Sequence, residues 1–257
     1  MHFGSGINPL PPSPQHLAAF IANCFLKKLA ASSTRTLVSS LSFIFQLGGY
    51  QDITQHFIIK KMLIGFQKCK PSLDSRLPIT PAILMQLVNA LQHTSSSAFL
   101  RCLLRAMFIL AFCAFLRVGE ITKTTGSAQH FLLFEHISIH KGADHLQIID
   151  INIPHFKHSK SNVTTLRLHQ NTKNPVICPC LALTKYLQLR KHESPSEPLF
   201  SFMDKLPVSK QFFTHHLRTS LAFCNLDLQR YQSHSFRIGA ATTAASLGFS
   251  EIQIQNM

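Results

Sequence analysis

Eleven consecutive apolar residues, Ala106 to Leu116, end abruptly in Arg117-Val118-Gly119-Glu120. A helix that is apolar on every side has to be buried, so this run marks the centre of a core. Arg105 and Arg117 bound it, and it falls well short of the roughly 20 apolar residues a helix needs to span a bilayer. On this reading one long helix, about 98–116, carries Arg117 to the place where the buried run surfaces. A cation there suits the helix dipole whether or not it has any chemical role.

The rest of the chain can be organised around that helix. Residues 1–14 are rich in Gly, Pro and Ser and read as an irregular lead-in. Helical spacing then runs through 15–31 (Leu17, Phe20, Ile21, Cys24). A second stripe follows (Leu37, Val38, Leu41, Ile44, Phe45), with Ser32-Ser33-Thr34 available as a cap and Gly48-Gly49 as a stop. A third helix is expected over about 54–66. Together these make a small helical domain, 15–66, with Lys27, Lys28, Lys60 and Lys61 beside its apolar stripes and Asp52 as the only carboxylate in the first 73 residues. Residues 67–79 break every period and read as a linker.

Thr80-Pro81 opens a helix to about 92, with threonine as cap and proline in the first turn. Beyond Gly126 the period shifts to β-formers at 131–140, 145–153 and 163–168, which predicts three antiparallel strands in a meander. Helices resume at about 180–191, 209–225 and 236–247. The fold class is therefore mainly α with a small antiparallel sheet: an N-terminal helical domain, then an α+β domain over 80–257.

Charge narrows the function. Lys and Arg number 25 against 11 Asp and Glu, a formal net charge of +14. On a chain that can build a core, this excess favours a polyanion, nucleic acid before other partners. So few acids argue against a two-metal site, and no glycine-rich phosphate loop is visible. Cys178-Pro179-Cys180 has the wrong spacing for a zinc knuckle, so neither a metal nor a cofactor is expected. Seven scattered cysteines argue for free thiols in a reducing compartment. With no secretory leader legible, the expectation is a nuclear or cytoplasmic protein with no membrane partner. His215 and His216, on a basic helix with Lys210 and Arg218, are expected to face solvent or phosphate.

Four residues could carry chemistry: Arg117, Lys160 in the turn between the second and third strands, and His234 and Arg237 in His-Ser-Phe-Arg. Two guanidiniums can each fork two oxygens of a phosphodiester, a lysine can protonate a leaving oxygen, and a histidine can move a proton. Each also has a plain structural reading, as helix-end cation, turn lysine or helix cap. Glu120, one turn from Arg117, is open to two readings: a buttress for the arginine, or a solvated acid.

Leu116-Arg117-Val118-Gly119-Glu120-Ile121 resembles the first-arginine box of the tyrosine recombinases, the phage-integrase family. His234-Ser235-Phe236-Arg237-Ile238-Gly239-Ala240-Ala241 resembles their His-x-x-Arg box, in the wording of Crypton and DIRS-like eukaryotic mobile elements. Lys160 matches the family's hairpin lysine, with Lys157 as the alternative register. Arg76-Leu77-Pro78-Ile79-Thr80 resembles the entry to the family's catalytic domain. The resemblance implies a core-binding domain at 15–66 and a catalytic domain at 80–257, expected to be incomplete at its C-terminal end, that clamp double-stranded DNA with no cofactor, and it leaves a homo-oligomer on DNA open. It implies Arg117 and Arg237 on the scissile phosphate, Lys160 at the leaving oxygen and His234 in proton transfer. Lys27, Lys28, Lys60, Lys61 and Arg76 are expected to contact DNA.

The family's nucleophile is a tyrosine beyond the His-x-x-Arg box. After Arg237, 257 − 237 = 20 residues remain, none of them Tyr, His or Trp. Tyr50, Tyr186 and Tyr231 all lie elsewhere. The expectation is a DNA-binding, recombinase-like protein of mobile-element origin that does not cleave DNA by itself. The alternative is a non-enzymatic DNA-binding protein derived from such an element.

Overall fold

The structure is a computed structural model that describes residues 12–69, 75–124, 131–153 and 164–255. The chain divides into two compact units, Met1–Asp74 and Ser75–Met257.

The first unit contains α1 (Pro14–Leu26), α2 (Ala31–Leu47) and α3 (Phe57–Cys69). The Ser13 hydroxyl caps α1 by accepting from the His16 N–H, and Pro14 fills the first helical position. α1 ends five residues before the periodicity would carry it. Lys27 caps it and Lys28 takes a positive φ of 57°, which turns the chain straight into α2. Ser32-Ser33-Thr34 consequently lies inside the first turn of α2 and does not cap it; Ala30 holds the cap position with no side-chain bond.

Asp52 organises the next connection. Its carboxylate accepts from the Ser42 hydroxyl at 2.6 Å and from the Thr54 N–H at 3.0 Å. This starts a 3-10 turn at Ile53–Gln55, so α3 begins three residues later than its pattern suggests and runs on to Cys69. The core of this unit is thin, built on Leu17, Ile21, Cys24, Val38, Ile59 and Phe66. Leu26, Leu47 and Phe57 are left at least 70% exposed.

The second unit starts as an extended strip, Ser75–Thr80, followed by α4 (Pro81–Thr94), α5 (Ala98–Cys113) and the short α6 (Val118–Ile121). Then come β1 (Ile137–Lys141), β2 (Gln147–Ile153) and β3 (Thr164–His169), and finally α7 (Pro179–Leu189), α8 (Lys210–Phe223), α9 (Ser235–Ser246) and α10 (Glu251–Gln255). The strands form an antiparallel meander in the order β1-β2-β3, with Ile149 paired to both Ile139 and Leu168. Ile149, Ile151 and Ile153 alternate onto the buried face, as a half-covered sheet requires. The first half of the expected first strand is instead a 3-10 turn, Phe134–His136.

α5 is the hub, buried from Ala106 to Phe112 and packed against α4, α7 and α9. The rings of Phe108, Phe213 and Phe236 meet at centroid distances of 5.4 to 6.0 Å and lock α5, α8 and α9 together. The apolar run does not stay helical to its end. α5 stops at Cys113, and Phe115 takes a positive φ of 53°. Arg117 is therefore the residue that opens α6, not the last residue of α5.

Candidate nucleic-acid interface

Arg117 is fixed by local geometry. Its extended backbone (φ −74°, ψ 146°) makes it the cap of α6, and Glu120 lies three residues on. One Glu120 oxygen accepts from the Arg117 backbone N–H at 2.7 Å and the other from Nη1 at 3.0 Å. A single carboxylate thus satisfies a helix-start donor and orients a guanidinium. The Arg117 side chain keeps 33% of its surface exposed, against 14% for Glu120. Of the two readings of Glu120, contact with Arg117 is the one observed.

Arg237 comes from the first turn of α9, and its Nη1 donates to the Phe115 carbonyl at 3.1 Å. The position after a helix end at which φ turns positive is one that glycine favours, and a bulky residue there costs about 1 kcal/mol or more. Burial pushes the Arg237 pKa down, the Arg117 charge nearby pushes the same way, and Glu120 opposes them. Arg237 stays protonated regardless. Two cations share one acid in a half-buried place, so an anion set between the guanidiniums would be stabilised.

α9 reaches this position because Gly239 lets it approach the extended strip. A Cβ on Gly239 would lie 1.8 Å from the Ile79 carbonyl oxygen. The strip is tied to the same region by the Ile79 N–H to the Ser235 carbonyl (3.0 Å) and the Leu77 N–H to the Arg230 carbonyl (2.8 Å). Arg76 lies half-buried on this strip. His234 is exposed at the start of α9, three residues before Arg237. Lys160, and Lys157 as its alternative, lie outside the described residues.

A basic cleft of about 670 Å³ adjoins α6, and the motifs did not single it out. The Lys123 N–H donates to the Val208 carbonyl and the Lys210 N–H to the Lys123 carbonyl, which pins the segment after α6 to the start of α8. Lys123, Lys210, Gln211, Thr214, His215 and Arg218 line the cleft, and among the described residues no carboxylate does. The α8 members recur at helical spacing, as expected of the basic helix that carries Lys210, His215 and Arg218, and Lys123 is the addition. His216 does not share this face. Its ring packs at 4.4 Å on Phe212, and burial lowers its pKa.

On the first unit, Arg35 lines two clefts of about 390 and 410 Å³, and Lys60 shares one of them. Lys61 lies over the Phe57 ring at 5.3 Å, while Lys27 and Lys28 are exposed where α1 ends. The four lysines expected to contact DNA are thus spread over different parts of the unit.

Tyr186, Tyr231 and several of the cysteines are buried, whereas Tyr50 and Cys69 are exposed. The Tyr186 hydroxyl is buried, with the Leu199 and Ser201 carbonyls each at 3.1 Å and the Ser201 N–H donating to it. Tyr231 is 9% exposed, and Tyr50 belongs to the first unit. Cys178 and Cys180 sit in the core, and burial pushes the Cys113 and Cys180 thiols up to about 12. All seven cysteines are free. Among the described residues no cluster suited to a metal occurs, and no helix is long and apolar enough to cross a membrane.

No protein-family model matches the chain, and no curated protein sequence does. Solved structures do. A fragment of the Tn1549 transposon integrase, in complex with transposon right end DNA, superposes with a TM-score of 0.61 at 17% identity, covering 98% of this chain and 78% of that one. A fragment of lambda integrase, crystallised as a dimer bound to a COC′ core site, gives 0.57 at 14%, covering 99% and 81%. Against a longer lambda integrase chain the score is again 0.57, at 13% identity, and this chain spans 61% of that length. The chain has the fold of the tyrosine recombinases and integrases.

Proposed function

We infer that the protein binds double-stranded DNA and holds one backbone phosphodiester between Arg117 and Arg237. The observation that carries this is the pairing of the two guanidiniums, one fixed by Glu120 and the other by the Phe115 carbonyl. Two planar forks converging on one phosphate suit its non-bridging oxygens. His234, exposed one turn before Arg237, would donate a hydrogen bond or carry a proton at the same phosphate. The basic cleft along α8 would follow the flanking backbone, and the Arg35 face of the first unit would add contacts elsewhere on the duplex. The integrases sharing the fold were solved on DNA, lambda integrase as a dimer, which supports duplex DNA as partner and self-association on it. DNA as ligand also favours a nuclear or cytoplasmic location.

In this reading the protein descends from a mobile-element recombinase, whose reaction is strand breakage and rejoining, and binds without cutting. The buried hydroxyl of Tyr186, committed to three main-chain partners, supports the absence of cleavage by that residue. The test is a salt titration of duplex binding. Removing a phosphate contact lowers the slope of log K against log salt by about 1, so Arg117→Ala and Arg237→Ala should each do so. Unchanged slopes in both would sink the proposed grip. A covalent protein–DNA adduct on a nicked suicide duplex would overturn the non-cleaving reading.

A further inference from the structure

The acceptor that holds Arg237 is a main-chain carbonyl, and the residue that presents it has an unusual backbone. Phe115 has φ 53°, in the left-handed region that large side chains rarely enter. Were residue 115 helical, its carbonyl would point along the α5 axis toward the amide four residues ahead. α5 would then continue and carry Arg117 around the helix, away from its place at the head of α6. The left-handed step does two things at once. It aims the 115 carbonyl at the α9 guanidinium, and it starts α6 two residues later with Arg117 as the cap.

The Phe115 ring is half-buried and packs on the core. Packing gives a rival reason for the residue, and the two reasons predict opposite orders of tolerance. We propose that Phe115 is a positioning residue whose left-handed backbone sets the spacing between Arg117 and Arg237 for a single phosphate, the ring being secondary. The proposal rests on the reading of the two arginines as a phosphate grip.

The experiment uses the full chain and inorganic phosphate as probe, followed by NMR of the arginine Nε–Hε signals. Arg117→Lys and Arg237→Lys assign the two resonances. In the parent protein both should shift together and saturate with one dissociation constant. Phe115→Gly and Phe115→Asn remove the ring but accept a positive φ, whereas Phe115→Val keeps apolar bulk and, being β-branched, disfavours it.

The expected result is affinity within about threefold of the parent for Phe115→Gly and Phe115→Asn, and a loss of at least about tenfold for Phe115→Val, the scale of one charged hydrogen bond. If affinity instead follows side-chain size, with Phe115→Val nearest the parent, the ring is what matters and the proposal fails while the phosphate grip stands. If Phe115→Val does not fold, loss of binding in both folded Phe115→Gly and Phe115→Asn refutes the proposal and retention supports it. If the parent's two arginine signals do not respond to phosphate, the underlying grip fails and the proposal falls with it.

Discussion

The Arg237 guanidinium donates to the Phe115 carbonyl at 3.1 Å across 122 residues of sequence, and Phe115 stands two residues before Arg117. This contact between the end of α5 and the start of α9 ties Arg237 to the chain just before Arg117. A lysine at 237 would keep the charge but has no planar fork to hold a carbonyl and a phosphate together. Arg237→Lys should leave the salt slope of duplex binding unchanged and weaken binding by about 1.5–3 kcal/mol at fixed salt. A fluorescence-anisotropy titration at two salt concentrations separates the two effects.

Gly239 should tolerate no side chain. A Cβ there would meet the Ile79 carbonyl oxygen at 1.8 Å, and both partners are backbone, so neither can swing away. Ile79 is itself buried and tied to Ser235. Gly239→Ala should destabilise the second unit by about 1–3 kcal/mol or more, as forced overpacking does. Its urea midpoint should fall, while Ala241→Ser, with no such backbone contact to displace, should unfold near the parent midpoint. An unchanged midpoint for Gly239→Ala would show that the strip does not pack on α9 in solution.

Removing Glu120 separates general attraction from ordered grip. Glu120→Ala deletes an acid, so the protein becomes more basic and should bind duplex at least as well at low salt. It also deletes the acceptor of the Arg117 N–H and Nη1, so α6 loses its cap at about 1 kcal/mol and the guanidinium its orientation. The NMR phosphate titration should then show the Arg117 response weakened. Glu120→Gln, which can still accept from the backbone N–H, should restore most of the stability and only part of the response.

Much of this could be read from the sequence, and the failures share a physical cause. The buried α5, the strand meander and the helix starting at Thr80-Pro81 depend on periodicity and local caps, which act within a few residues. The end of α5 falls where Phe115 takes a left-handed conformation that its own propensity opposes, and the contact its carbonyl makes there is with Arg237, far along the chain, so nothing local announces it. The α1 stop is similar: Lys28 takes a left-handed turn with no glycine to signal it. Arg117, Glu120, His234 and Arg237 could be proposed because their boxes are local motifs, and the structure draws the first two together and sets Arg237 on the carbonyl two residues before Arg117. The cleft that Lys123 lines was not legible, because its other members come from α8, far along the chain.

Asp52 gives the first unit an acid limb. Burial raises its pKa, but hydrogen bonds from Ser42, Thr54 and Gln55 more than offset this and lower it from 3.8 to about 2. A carboxyl that is more acidic folded than unfolded stabilises fully above the unfolded value, and the contribution is lost as pH falls through the folded one. Protection of the α2 and α3 amides from hydrogen exchange should therefore decline between about pH 4 and 2. Asp52→Asn should be less protected at neutral pH and show a flatter decline. Parallel curves would assign the acid limb to another group.

The α8 face offers the sharpest test of how the second unit meets a duplex. Lys210 and Arg218 are two turns apart on one side of α8 and line a cleft with no acid among the described residues. Lys205, close by in sequence, is instead engaged by Glu193 and Glu197, so much of its charge is already matched. If the cleft follows the DNA backbone, Lys210→Ala and Arg218→Ala should each lower the salt slope by about 1, and Lys205→Ala should leave it nearly unchanged. Removing exposed side chains should shift stability by no more than about 0.5 kcal/mol, so thermal melts would separate lost binding from lost fold. Equal effects from all three substitutions would mean that the protein's overall charge, rather than this face, attracts the duplex. A null effect at 210 and 218 would place the interface elsewhere and leave the arginine pair without a neighbouring track for the flanking phosphates.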